Sequence, residues 1–382
     1  MLDSLYRGGS TMQVECTKKL LDYIGVKAGA ADESIDPVFR WSANLIQINR
    51  RRTIVVAHDS SRYGFVLYGI KAKDIHNLGD LLLDGIRTCL ELECIDPDLI
   101  ERYLADCGTP VVFTKSAGRT IVSRLNQLCT RVTYFAEDLT VEHLFQKQVL
   151  GIINHDYIRV KNDPAKKYFG VYEKLGEDLS SLYGASPYRC RAAEFEVELE
   201  LDSPCTRRII VPLNYTFRQF HHVLQTLFCW QGYHLHDFWI ERHPNGRLKH
   251  ALIGSQREFD LEEESTREDT SVSLSEIFPK YGHIIYNYDF GDDWIHHIRL
   301  VNLIDEHDKN HVVCLAWEGE APPEDVGGPG GYARLLQILS DPTDPDHAAM
   351  KRWYDSMLCR PFDLDSINRQ LRGCARRRDS MW

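Results

Sequence analysis

Two histidines and a set of carboxylates are the residues of this chain best equipped for chemistry. His234 and His236 stand two apart in YHLHDF, so on a strand both imidazoles leave it on the same side. Such an H-x-H pair is a common way for a sheet to present two metal ligands. Asp289, Asp292 and Asp293 crowd the middle of YGHIIYNYDFGDDWIHHIRL, and Glu324 and Asp325 sit together in PPEDVGGPGG. Carboxylates packed this closely are costly unless water, backbone N–H groups or a cation takes up the charge. One reading places His234, His236, Asp289, Asp292 and Glu324 around a divalent ion, zinc, manganese or magnesium, with His296 or Asp325 handling protons. The plainer reading gives each group its own neighbour: surface histidines bonded to nearby acids, an Asp capping the turn amides, and Gly291 supplying a positive φ.

Other motifs narrow the chemistry. Asp289-Phe290-Gly291 copies the kinase magnesium motif, but no glycine-rich nucleotide loop, strand lysine or catalytic loop accompanies it. The GGPGG run before Tyr332 could offer amides to an anion. Glu324 and Asp325 oppose that, and the GxxxxGK[ST] and GxGxxG patterns are missing from the sequence. No Ser-His-Asp set or activated cysteine is recognisable by spacing. Arg50 to Arg52 read as solvated charge in a turn, and Arg369, Arg372 and Arg376 to Arg378 as a basic tail that could touch nucleic acid or an acidic partner.

The elements that must position these groups follow from hydrophobic periodicity. Residues 281–300 form two alternating runs meeting at an acidic turn, with Tyr286, Tyr288 and Phe290 on one face of the first and Trp294, His296 and Ile298 on one face of the second. This pattern predicts a β-hairpin. Upstream, 195–201 alternates with glutamates on its solvent face and pairs with 208–211. Thr216 caps a helix over 217–230, a strand covers 234–241, and helices over 332–339, 347–357 and 364–371 finish the chain. The first half gives strands at 13–16, 43–48, 53–57 and 63–68, then helices over 78–92, 97–104 and 119–129 with a strand at 110–114 between the last two.

At 382 residues the chain exceeds what one core usually supports, so two α+β domains are expected. They are 12–161, a linker with a short helix over 162–192, and 193–382, the second a β-grasp-like antiparallel or mixed sheet crossed by a helix and followed by C-terminal helices. Formal charge is −11. Residues 1–180 carry 23 basic and 24 acidic side chains, whereas 251–350 carry 6 and 21, a field that repels a phosphate backbone unless metal ions or a basic strip intervene. Eleven cysteines without a CxxC pair read as reduced thiols. With no apolar run near the ~20 residues of a membrane span and no signal-like start, a cytoplasmic protein is expected, residues 1–11 being a leader.

The second half resembles the plasmid pRiA4b ORF-3-like family, from about Phe195 to Arg372. The resemblance rests on RRIIVP, YHLHDF, YNYDFGDDW, PPEDVGGPGGY and FDLDSIN in that order. Thr206 stands where the family often has Trp, and Ala321 and Val326 where many members have cysteines, so a cysteine-based metal site is not carried over. Residues 12–104 are similar, more faintly, to a small bacterial domain of unknown function through CTKKLLDYI and FRWSANLIQINRRR. The resemblance implies a fold and a plasmid, mobile-element or defence setting. The expected role is a binding or regulatory accessory protein engaging a protein partner or short nucleic acid, the alternative a divalent-metal-dependent phosphodiesterase or nuclease.

Overall fold

The computed structural model describes residues 12–154, 157–159, 168–242, 249–254, 267–357 and 362–374. The leader, residues 162–167 of the expected linker and Arg376 to Arg378 lie outside them. The chain divides after Arg189 into two compact units.

The first unit is built on a five-stranded sheet in the order β4-β3-β2-β1-β5, with β1 at Gln13–Cys16, β2 at Arg40–Ile48, β3 at Arg51–His58, β4 at Gly64–Tyr68 and β5 at Val112–Lys115. β2, β3 and β4 form an antiparallel meander, and β1 runs parallel to both β2 and β5. Asn49 and Arg50 both take positive φ, 48° and 60°, the two-residue turn whose twist suits the β2–β3 hairpin. Short helices α1 (Lys18–Ile24) and α2 (Ala72–Ile75) precede α3 (Leu78–Leu92) and α4 (Pro97–Cys107).

Both faces of this sheet are covered, which explains the nearly unbroken apolar runs of β3 and β4. Val14, Trp41, Ile54, Val56 and Phe65 share one core with α3, α4 and α7 (Val171–Tyr183). On the other face Val55, Ala57, Val66 and Tyr68 meet α5 (Arg119–Tyr134) and α6 (Lys147–Asn154). A small hairpin, β6 (Tyr157–Arg159) with β7 (Tyr168–Gly170), precedes α7. Within the stretch read as linker, α7 is thus an integral helix whose Val171, Leu175 and Leu179 are buried in the first unit.

The second unit carries an eight-stranded sheet, β12-β11-β10-β13-β14-β8-β9-β15. Its strands are β8 (Cys190–Leu199), β9 (Thr206–Pro212), β10 (His236–Arg242), β11 (Lys249–Gly254), β12 (Arg267–Glu268), β13 (His283–Tyr288), β14 (Trp294–His307) and β15 (Val313–Glu318). Every pairing is antiparallel except β11 with β12. Helix α8 (Phe217–Leu227) crosses it and buries Phe220, Val223, Leu224 and Leu227 against Phe195, Phe238, Tyr286 and Ile298. Its start is fixed by a capping box: Thr216 Oγ1 accepts from Gln219 N at 3.2 Å while Gln219 Oε1 accepts from Thr216 N at 2.9 Å.

A one-turn helix α9 (Leu274–Ile277) leads into β13, and α10 (Gly328–Ser340), α11 (His347–Ser356) and α12 (Leu364–Cys374) complete the unit. The architecture is α+β, as expected. Arg207, on the core-facing side of β9 with Ile209 and Val211, is buried to 1 % exposure and donates to the carbonyls of Thr206, Glu318, Gly319 and Leu227, with its guanidinium over Phe362. It works as a cationic peg tying β9 to the turn after β15.

Three local expectations change. The H-x-H stretch is not all strand: His234 lies in a bend and β10 begins at His236. Phe290 does not share the buried face of Tyr286 and Tyr288, because β13 ends at Tyr288 and Tyr288 pairs with Trp294, leaving Phe290 exposed in the connecting turn. Helix α10 begins at Gly328, four residues before Tyr332, with Pro329 in its first turn.

Candidate metal centre

The hairpin turn is held by its own first carboxylate. Asp289 sits at φ +60°, and its Oδ1 accepts from Gly291 N at 3.0 Å, leaving Oδ2 for other work. Asp289 N donates to Leu235 O at 2.9 Å, stitching the turn to the segment that carries His234. The acidic loop docks on the same corner. Asp292 Oδ2 accepts from Gly327 N at 3.1 Å, and a Cβ on Gly328 would fall 2.5 Å from Asp292 O. Both Gly327 and Gly328 take positive φ, so glycine meets the demands of backbone angle and close approach together. Trp230 Nε1 donates to Pro322 O at 2.9 Å from the third side.

Within this corner His234 Nε2 lies 3.1 Å from Asp325 Oδ1 and 3.6 Å from Asp289 Oδ2, and one ligand atom from each of the three residues falls within 4.8 Å of the others. Donors on a ~2.1 Å shell stand about 3–3.5 Å apart, so the His234–Asp325 spacing already suits a shared ion. His234 Nε2 is buried as an atom and makes no hydrogen bond of acceptable angle, although both carboxylates are near. The side chains are unevenly covered, 13 % exposed for Asp289, 31 % for His234 and 65 % for Asp325, so the cluster is closed on the protein side and open outward.

The remaining expected ligands are engaged elsewhere. Glu324 accepts from the Tyr288 hydroxyl at 2.6 Å and from Gln231 N at 3.0 Å, using both oxygens to fasten the acidic loop. Burial, and then the Glu324 charge, push the Tyr288 hydroxyl well above its usual range. Asp292 serves as the loop clasp already described. His236 points into the protein, 2 % exposed, with Nε2 3.1 Å from Asp269 Oδ2. His234 lies in the bend before β10 and His236 opens the strand, and the two imidazoles meet different carboxylates, Asp289 and Asp325 for His234 and Asp269 for His236.

His296 is fully buried among Phe228, Trp230 and Tyr286, with Nδ1 against the carbonyls of Trp294 and Tyr286. Burial lowers its pKa to about 3, so the ring is neutral near pH 7 and has no solvent route for a proton. Asp325, read as a proton handler, stands beside His234 in the cluster.

Sequence reasoning missed the buried polar network behind this corner. Asp269, with no exposed surface, receives Arg218 through Nε–Oδ2 and Nη2–Oδ1 contacts of 2.6 and 3.0 Å and meets His236 on the same oxygen. Burial alone would raise its pKa, but His236 and Arg218 together hold it below the usual carboxylate value. The His236 ring stacks on His221 at 3.7 Å, and His221 Nδ1 lies 2.8 Å from the Tyr286 hydroxyl, which also accepts from Gln225. Arg218, His221 and Gln225 recur at helical spacing on α8, a readable signal. Asp269 gave none, being a single acid in a charged stretch.

Residues 191–371 match the family described as plasmid pRiA4b ORF-3-like protein, and residues 13–169 match a domain of unknown function (DUF6933). The uncharacterized protein y4hQ of Sinorhizobium fredii (strain NBRC 101917 / NGR234) is 30% identical over 164 residues, 42% of this chain and 76% of its own length. The crystal structure of MM3350, a protein of unknown function from Methanosarcina mazei Go1, shares 28% identity over 46% of this chain and 97% of its own, with a TM-score of 0.40. Loops bearing YHLHDF, DFGDD and PPEDVGG are the ones that converge on the His234 corner, and through its C-terminal half the chain belongs to the plasmid pRiA4b ORF-3-like protein family.

Proposed function

We propose that the second unit is a divalent-cation-binding module of an accessory protein from a plasmid or other mobile element, and that it engages a protein partner through the ion-bearing corner. The observation that carries this is the gathering of His234 Nε2 with carboxylate oxygens of Asp289 and Asp325 from separate loops fastened to one another. One nitrogen and two oxygens suit zinc or manganese better than calcium, which asks for six or more oxygens. The outward side leaves coordination positions for water or for a partner's ligand atom. Tyr233, Leu235 and Phe290, exposed at 47, 47 and 39 %, lie beside the ligands in sequence and supply apolar contact area of the kind protein interfaces use. Ten described cysteines are free thiols, which supports a reducing, cytoplasmic setting.

A second reading, metal-dependent phosphodiester hydrolysis, draws on the same open positions, where a bound water could become the nucleophile. It loses His296 as its proton carrier, and Asp325 would have to serve as both ligand and base. Elemental analysis of protein purified without chelator tests the shared premise, with about one zinc or manganese per chain expected and a loss of that metal in Asp289→Asn and Asp325→Asn. Absence of stoichiometric metal, together with no saturable binding when either ion is titrated in, would remove the basis of both readings.

A further inference from the structure

The first unit holds a cleft of opposite character. It lies beside β2, β3 and α5, and Ser42, Asp59, Arg62, Arg124 and Arg131 are among its walls. Arg124 and Arg131 are seven residues apart on α5, so both project from the flank that carries Leu128 toward the sheet. Arg62 joins them from the β3–β4 turn, where it takes φ +64°. Among the described residues no carboxylate lies within ion-pair distance of Arg124, and Arg131 spends an N–H on Ile153 O at 2.8 Å. Arg62, Arg124 and Arg131 thus line the cleft together with the Asp59 carboxylate.

The carboxylate is incompletely used. Asp59 Oδ1 accepts from Ser42 Oγ at 2.5 Å, but Asp59 Oδ2 is buried and has no hydrogen-bond partner. A buried, unpaired carboxylate oxygen in a native protein calls for a donor that arrives with water or a ligand. The cleft holds about 40 Å³ of water-accessible space. At ~10–15 Å³ for each water centre, this is room for roughly three waters, enough for a compact head group and too little for a ring system.

We propose that this cleft binds the tetrahedral oxyanion head of a small phosphorylated or sulfated compound, with the guanidinium groups of Arg62, Arg124 and Arg131 supplying the positive field and Asp59 sharing a proton with one anion oxygen. Arginine suits the task because its planar N–H groups address such oxygens in pairs. The body of the compound stays outside the narrow cavity.

The shared proton makes the proposal testable. Burial raises the Asp59 pKa to about 6; Ser42, Arg40 and Arg124 act against that rise and Glu15 with it. His58, on the same wall, has its pKa lowered by burial. Sulfate brings no proton of its own between pH 5.5 and 8, so its binding reads the state of Asp59. Calorimetric titration of the full chain with sodium sulfate at constant ionic strength is expected to show saturable binding at pH 5.5, at least tenfold weaker at pH 8. Asp59→Asn, which offers an N–H at every pH, flattens that dependence, and Arg124→Ala weakens binding at least tenfold with an unchanged far-ultraviolet spectrum. Inorganic phosphate, still carrying a proton at pH 8, binds there more tightly than sulfate. An acetate titration separates a tetrahedral site from a general carboxylate site, and acetate binding as tight as sulfate overturns the tetrahedral assignment. No saturable binding of either tetrahedral anion, equal affinity in Arg124→Ala, or an unaltered pH dependence in Asp59→Asn overturns the proposal.

Discussion

Removing the Asp269 carboxylate should cost the second unit more than any single change on its surface. In the wild-type chain the group has no exposed surface, Arg218 is 17 % exposed, and two N–H···O contacts of 2.6 and 3.0 Å join them while His236 meets the same carboxylate. Asp269→Ala therefore takes from a mostly buried guanidinium and an imidazole nitrogen the carboxylate that they share. Breaking a buried pair from one side typically costs about 3–5 kcal/mol. For a unit of this size roughly 2–4 °C accompanies each kcal/mol, so a fall on the order of 10 °C is expected in the melting step that belongs to it. The double variant Asp269→Leu/Arg218→Leu should lose less than the two single changes summed, since no lone charge remains. The pH sign follows from the lowered Asp269 pKa: its contribution is present above the unfolded carboxylate value near 4 and is lost as pH falls through the folded value. Denaturant melts at pH 7 and pH 3 check both points. A loss below about 1 kcal/mol at pH 7, or strict additivity of the two leucine changes, would refute the claim that this network is a structural keystone.

Asp289 should separate its two duties: Asp289→Asn keeps the Oδ1 cap and tolerates positive φ, so it lowers metal content while costing under ~0.5 kcal/mol, whereas Asp289→Ala loses cap and conformation together for about 2 kcal/mol. Metal analysis beside a urea melt decides this, and equal stability of the two variants would count against it. Gly331→Ala puts a Cβ 2.0 Å from Val326 O, so it should dislodge the acidic loop and weaken zinc or manganese binding without touching a ligand; unchanged affinity in a competition titration is the contrary result. His296, with a folded pKa of about 3 against 6.5 unfolded, contributes stability at neutral pH that is lost as pH falls below 6.5. The linkage amounts to about 2 kcal/mol by pH 5. His296→Phe should remove that share of the pH 7 to pH 5 loss measured by urea melts, and an identical loss in both proteins would contradict it.

How far the sequence could be read depends on the range of the interactions concerned. The hairpin at 283–307 and the capped helix α8 are each specified by neighbours within a few residues, and both form where periodicity and capping place them, apart from small shifts at their ends. The ligand set depended on something less local: whether the chain is extended at His234. Leu235 O accepts from Asp289 N there, β10 starts two residues later than expected, and the two imidazoles take different carboxylates. His236 then enters the core, where Asp269, thirty-three residues away, already holds Arg218.

Acid count was equally ambiguous. Glu324, Asp292 and Asp289 all looked like ligands because all three are acids in turns, yet each carboxylate must first answer the amides and hydroxyls that those turns expose. Glu324 spends both oxygens on Tyr288 and Gln231, and Asp292 gives one to Gly327. Asp289 divides itself between turn and cluster, while Asp325, at the exposed edge of its loop, stays available to His234. The loops that bring His234, Asp289 and Asp325 together are thus fastened by carboxylates outside that cluster. This arrangement leaves the Asp325 side of the cluster facing outward.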